Sequence, residues 1–239
     1  MKICDGFDVL VIPQERGAYY LSLVSTKTKT LLIDTGNLDQ EDRLVEAVHE
    51  AGLPLESITD ILITHHDRDH IGGLRELRRR LPRVKVWAHV DEIPFIDGSV
   101  PALKIQDLDP VFDSLPEKKQ IFITQMKKIF PSIIAPVDFG VKDGDVLDFD
   151  GGIDVIHTPG HTLGHICLYH RRSKTLIAGD AMNIQEGKLI GANPDFTHDL
   201  HEASVTLKRL SHYDIQRIVS YHGGVFEDHP NQAILSLTH

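Results

Sequence analysis

Thr64–Gly73 reads THHDRDHIGG, which sets two imidazoles and two carboxylates, His65, Asp67, Asp69 and His70, within six consecutive positions. The stretch grows out of Asp60–Thr64, whose apolar run predicts a short buried strand, and leads into Leu74–Leu81, which has helical spacing. A joint of strand, loop and helix is where a rigid scaffold commonly presents reactive groups. Crowded buried carboxylates and imidazoles must be neutralised, and a cation with nitrogen and oxygen ligands does this most simply. Taken alone, the ten residues also read as an exposed polar loop. Alternation along an extended strand puts His65 and Asp67 on one side and turns His66 away, with a local rearrangement that makes His66 a ligand left open.

Outward from this joint, the pattern alternates between strands and helices. Val9–Pro13, Tyr19–Val24 and Thr30–Ile33 are β-rich, separated by turns such as Ser25–Lys29, and suit an antiparallel meander. A helix is expected next, capped by Asp39, with Leu44, Val45 and Val48 buried and Gly52 ending it. Val84–Trp87 is a further strand. About Asp91–Lys128 is less regular, with Gly98, Pro101, Pro110 and an amphipathic piece at Lys118–Lys128, and reads as an insertion over the site. Strands resume from Val146 to Ile190, where DVIHTPGH, HICLYH and TLIAGD each join an apolar run to a turn. Thr197 is expected to cap a helix over Asp199–Leu210, and Ile215–Ser220 is a last strand leading to YHGG. No repeat or linker divides residues 1–239, so one domain is expected. Strands in both halves with helices between them imply an α/β fold of two packed sheets covered by helices on both outer faces.

Composition narrows the function. With 239 residues and 41% hydrophobic content the chain can bury one sizeable core. Its net charge of −10 argues against a nucleic-acid partner, which needs Lys and Arg along the phosphates. The arginines at 75, 78, 79 and 80 read as a solvated helix face, and Arg171 and Arg172 as a hairpin turn. No apolar run approaches the roughly 20 residues that span a bilayer, and Asp5 and Asp8 interrupt the N-terminal one, so neither a signal peptide nor a membrane anchor is expected. Cys4 and Cys167 are far apart, which fits a reducing, cytoplasmic setting. Fifteen histidines prompt a search for metal ligands.

THHDRDHIGG resembles the HxHxDH signature of the metallo-β-lactamase-like superfamily, and further elements follow in that superfamily's order. IDTG at Ile33–Gly36 resembles its first element, HTPGHTLGH at 157–165 its third, AGD at 178–180 its fourth and YHGG at 221–224 its last. The resemblance spans most of the chain and implies the αββα sandwich. Carried over residue by residue, it implies one metal on His65, the residue at 67 and His161, and a second on Asp69, His70 and His222, with Asp180 bridging. Asp34 is expected either to orient a ligating imidazole or to cap the Gly36 turn. His157 and His165, in the same stretch as His161, are expected to be supporting or structural groups rather than ligands.

One slot departs from the family pattern, because Asp67 stands where the second histidine of the signature usually lies. With two divalent cations, three carboxylates and a bridging hydroxide the centre would carry no net charge, against one positive charge with histidine there. That favours harder ions such as manganese or iron relative to zinc. The flavodiiron reductases of the superfamily similarly carry a carboxylate at this slot, so an iron redox protein is the alternative, but those enzymes need a flavin domain. A metabolite-binding module without turnover is a third class, weakened by seven ligand-competent positions. The resemblance favours a hydrolase of a small ester, lactone, thioester or phosphoester, with two zinc ions polarising the substrate and activating water, and Asp69 also holding the proton. True metallo-β-lactamases generally lack the Asp180 carboxylate. The glyoxalase II type usually adds a C-terminal helical region, and only seventeen residues follow His222. Phe95, Phe112, Phe130 and Phe196 are candidate pocket walls. Arg68 either meets an anionic substrate group or pairs with a surface carboxylate.

Overall fold

The computed structural model describes residues 1–238. Strands β1 (Lys2–Cys4), β2 (Phe7–Pro13), β3 (Ala18–Ser25) and β4 (Thr30–Ile33) form the expected meander. Helix α1 (Glu41–Glu50) crosses over to β5 (Asp60–Ile63). Helices α2 (Arg68–Ile71) and α3 (Leu74–Arg80) lead to β6 (Lys85–His89). Then come α4 (Ile93–Ile96), α5 (Leu103–Leu108), α6 (Glu117–Ile133) and β7 (Phe139–Val141). These strands make a seven-stranded sheet in sequence order, with β4, β5, β6 and β7 parallel.

The second half supplies β8 (Val146–Leu147), β9 (Ile153–His157), β10 (Ile166–His170), β11 (Thr175–Ile177), β12 (Met182–Gln185) and β13 (Lys188–Gly191). Helix α7 (Leu200–Leu210), β14 (Arg217–Ser220), β15 (Gly224–Phe226) and α8 (Pro230–Ser236) complete it. Six of these strands pair in the order β15-β14-β11-β10-β9-β8, and β12 and β13 form a separate hairpin.

Side-chain alternation explains the layering. Leu31, Ile33 and Leu62 point inward and meet Ile153, Val155, Ile166, Leu168 and Val219 of the other sheet. Leu32, Ile61 and Ile63 point the opposite way, against Leu44 and Val48 of α1, Leu74 and Leu77 of α3, and Met126 and Phe130 of α6. On the far side, Leu207 and Leu210 of α7 and Ile234 of α8 cover Cys167, Leu176 and Ile218. The result is the αββα sandwich.

Three local expectations are corrected. Asp39 has φ of 63° and does not cap α1, whose N-cap is Gln40 without a side-chain bond. Helix α7 is capped by Asp199, which accepts from the Glu202 N–H at 2.9 Å, while Thr197 lies two residues outside. The 91–128 stretch is mostly helical, with α6 the longest helix described. The basic clusters are neutralised: Arg78 pairs with Asp138, Arg79 and Arg80 with Glu76, Arg171 with Asp154 and Arg172 with Asp150. Among the described residues no helix is long and apolar enough to cross a membrane.

Candidate metal centre

The five segments that carry the resemblance lie at one edge of the sandwich, where β4 and β5 finish in one sheet and β9, β11 and β14 finish in the other. The loops after parallel strands are where open α/β sheets bind ligands. His65, Asp67, His161 and Asp180 come together there with ligand atoms within 4.8 Å of one another, and Asp69, His70 and His222 form a second such group. His161 Nε2 lies 3.0 Å and His65 Nε2 3.5 Å from Asp67 Oδ2. His222 Nε2 lies 3.3 Å from both Asp69 Oδ2 and Asp180 Oδ2. Asp180 Oδ1 is 3.4 Å from His70 Nε2, and Asp180 Oδ2 is 3.8 Å from His161 Nε2, so this carboxylate lies between the groups.

These spacings fit metal ligation. A tetrahedral ion with arms of roughly 2.0–2.2 Å separates its ligand atoms by about 3.3–3.6 Å. His65 Nε2, His70 Nε2 and Asp180 Oδ1 are buried and lack any hydrogen-bond partner among the described residues. Orphaned polar atoms of this kind are costly, and divalent cations held by the two groups would satisfy all three.

The surrounding bonds fix the tautomers. Asp34 accepts from the Thr64 N–H at 2.8 Å, from the Thr64 hydroxyl and from His70 Nδ1 at 2.9 Å. With its proton on Asp34, Thr64 Oγ1 accepts from His65 Nδ1 at 3.0 Å. The Thr197 hydroxyl donates to Asn193 O and accepts from His161 Nδ1 at 3.2 Å. Three imidazoles therefore carry Nδ1–H and aim an Nε2 lone pair at the centre. His165 accepts the Asp180 N–H at Nε2 and donates Nδ1–H to Thr158. Burial, then the neighbouring His161, pushes its imidazole down to about 3, so it stays neutral and anchors the Asp180 backbone. His157 stacks on His89 at 4.2 Å, away from the centre. Burial works against the charged form of His222, yet the Asp180 and Asp69 carboxylates raise it to about 10. Replacing Asp34 with asparagine, which tolerates the φ of 63° there, is expected to weaken metal binding about 10–100-fold by loosening His70. Chelator competition measures this, and unchanged affinity would count against Asp34 as the orienting group.

His66 does not join the centre. Its Nδ1 meets Glu92, its Nε2 accepts the Leu103 N–H at 3.1 Å, and its ring stacks on Phe95 at 4.4 Å. Glu92 is wholly buried and was silent in the sequence; its other oxygen accepts from Thr162 Oγ1 and Gly164 N, both at 2.7 Å. Lys104, equally silent, sets its ammonium on Asp67.

A cavity of about 1100 Å³ opens over the centre, lined by Arg16, Tyr19, Arg68, Phe122, Ile190 and Phe196 among others. Of the four phenylalanines named above, only Phe196 lines it; Phe95 and Phe130 are buried beside His66, and Phe112 packs near Lys127. The β2–β3 turn and the β12–β13 hairpin supply walls that no sequence signal marked. Arg68 has no carboxylate partner among the described residues.

The sequence pattern of the Metallo-beta-lactamase superfamily matches residues 16–222. The chain belongs to that superfamily, and within it is a metal-dependent hydrolase. Among its relatives, the "Probable metallo-hydrolase YflN" of Bacillus subtilis is 28% identical over 88% of this chain and 81% of its own length. "Hydroxyacylglutathione hydrolase GloC" of Haemophilus influenzae is 29% identical over 80% of this chain and 79% of its own. The crystal structure of TTHA1429 from Thermus thermophilus, a metallo-beta-lactamase family protein, superposes with a TM-score of 0.78 at 23% identity, covering 99% of this chain and 79% of that one. The likeness in structure concerns the fold.

Proposed function

We propose that this chain hydrolyses a small ester, lactone, thioester or phosphoester with two divalent metal ions, zinc foremost. His65, Asp67 and His161 would hold one ion and Asp69, His70 and His222 the other, with Asp180 shared. The observation that carries this reading is the convergence of His65 Nε2, His70 Nε2 and Asp180 Oδ1, buried and unpartnered among the described residues, on one space. Bound there, the metals supply Lewis acidity and a water made nucleophilic near neutral pH. The protein's part is to position and exclude: Asp34, Thr64, Thr197 and His165 hold the ligands, and the insertion and Phe196 wall the cavity. Asp69, with its side chain partly open to the cavity, is placed to take the proton of the attacking water and return it to the leaving group.

Arg16 and Arg68 at the cavity wall, neither with a carboxylate partner among the described residues, favour a substrate bearing an anionic group. The relative named as a hydroxyacylglutathione hydrolase supports a thioester among the ester classes. The net charge of −10 speaks for a small molecule and against nucleic acid, and the two free thiols, Cys4 and Cys167, suit a reducing cytoplasm. Elemental analysis of the purified protein tests the reading. Two zinc or manganese ions per chain are expected, followed by turnover in a screen of lactones, thioesters and phosphoesters. Iron that gives way to zinc in Asp67→His would redirect the assignment to redox chemistry, and a protein that takes up no metal would overturn it.

A further inference from the structure

The insertion meets the metal loop through two consecutive residues on each side. Leu103 donates its N–H to His66 Nε2, and the next residue, Lys104, places its ammonium on the Oδ2 of Asp67. That oxygen is the one facing His65 and His161. The pair is largely withdrawn from water, with the Lys104 side chain 13% exposed and that of Asp67 10%. Lys104 is held in place from behind, because His66 anchors the start of α5 while Glu92 and Phe95 fix His66. The ring of Phe196 lies 5.6 Å from the ammonium on the cavity side. A flexible surface lysine would have none of these restraints.

We propose that Lys104 is the built-in counter-charge of Asp67, a positioning residue that makes the carboxylate behave toward the metals as a neutral ligand would. The inference rests on the metal-hydrolase reading above. Asp67 in place of histidine removes one positive charge from the centre, and the ammonium returns it. The ammonium also competes with a metal for Asp67 Oδ2, so it restrains an affinity that an unpaired carboxylate would raise. Before any metal binds, it offsets a negative charge that burial would otherwise make costly. The preference for harder ions expected from Asp67 alone is thereby reduced, and zinc remains a suitable occupant.

The test is zinc stoichiometry and affinity by chelator competition, with thermal unfolding in the presence and absence of EDTA, for wild type, Lys104→Met, Lys104→Arg, Asp67→His and Asp67→His/Lys104→Met. Lys104→Met is expected to bind zinc about tenfold more tightly, as removal of a unit charge close to the ion requires. Its metal-free form is expected to unfold at a lower temperature, while Lys104→Arg keeps wild-type affinity. Asp67→His alone, which leaves the ammonium facing two cations, is expected to lose one zinc, and the double variant to regain it. Should Lys104→Met not fold, the comparison of Asp67→His with the double variant decides. Equal affinity and stoichiometry across all variants would overturn the role of Lys104 and leave the metal centre standing. A wild type that takes up no divalent metal would overturn the centre itself.

Discussion

Asp180→Ala is expected to lower turnover of any ester substrate about a thousandfold or more, a loss of several kcal/mol in transition-state stabilisation at roughly 1.4 kcal/mol per decade. The reason is its place. Asp180 Oδ1 faces His70 and its Oδ2 faces both His222 and His161, so its carboxylate reaches both ligand groups. In the two-metal reading, each ion would then keep three protein donors, but nothing would fix their separation or offset their mutual repulsion. The fold is expected to survive, because the bond that holds this loop runs from the Asp180 N–H to His165 and is unaffected by the side chain. Steady-state kinetics, metal content and circular dichroism check the prediction together. A folded variant with two metals and more than a tenth of wild-type turnover would falsify the bridging role.

What could be read from the sequence and what could not differ for a physical reason. The segments that converge on the candidate centre were legible because metal chemistry admits few residue types, and because strand alternation placed His65 with Asp67 and turned His66 away. The sandwich was legible because Leu31–Ile33 and Ile61–Ile63 are apolar at every position, as strands buried on both faces must be. Lys104 and Glu92 were not. A lysine and a glutamate in a polar stretch carry no signature, and only the packing of α4 and α5 against the metal loop turns them into buried partners of Asp67 and His66. The helical content of the 91–128 stretch was obscured by Gly98, Pro101 and Pro110, although prolines also stand at helix starts here, as Pro94, Pro110 and Pro116 do. Helix capping failed on the same local scale: Asp39 and Asp199 are equally able to cap, and tertiary context chose only the second.

Glu92→Ala is expected to cost about 3–5 kcal/mol, because it strands several buried donors at roughly 1–3 kcal/mol each, out of the roughly 5–15 kcal/mol that stabilises an ordinary domain. Glu92 ties the loop carrying His65 and Asp67 to the loop carrying His161: one oxygen holds the His66 N–H and ring, the other Thr162 and Gly164. Removing it leaves all four donors buried without an acceptor. Burial alone would raise the carboxyl, but the His66 ring and the hydrogen bonds from His66, Thr162 and Gly164 hold it at about 2 against an ordinary value of 4.5. A carboxyl lowered in the folded state stabilises it above its unfolded value. That stabilisation is present above pH 4.5 and is lost as pH falls from about 4.5 to about 2. Metal-free wild type should therefore lose a part of its stability over this window that Glu92→Gln does not lose, and the two unfolding temperatures should converge toward pH 2. At pH 7 the gap for Glu92→Ala is expected to be on the order of 10 °C for a chain of this size. Because the clamp also sets the distance between Asp67 and His161, a stability loss without a matching fall in metal affinity would mean that Glu92 braces the insertion alone and leaves the spacing of the ligands to the sheets.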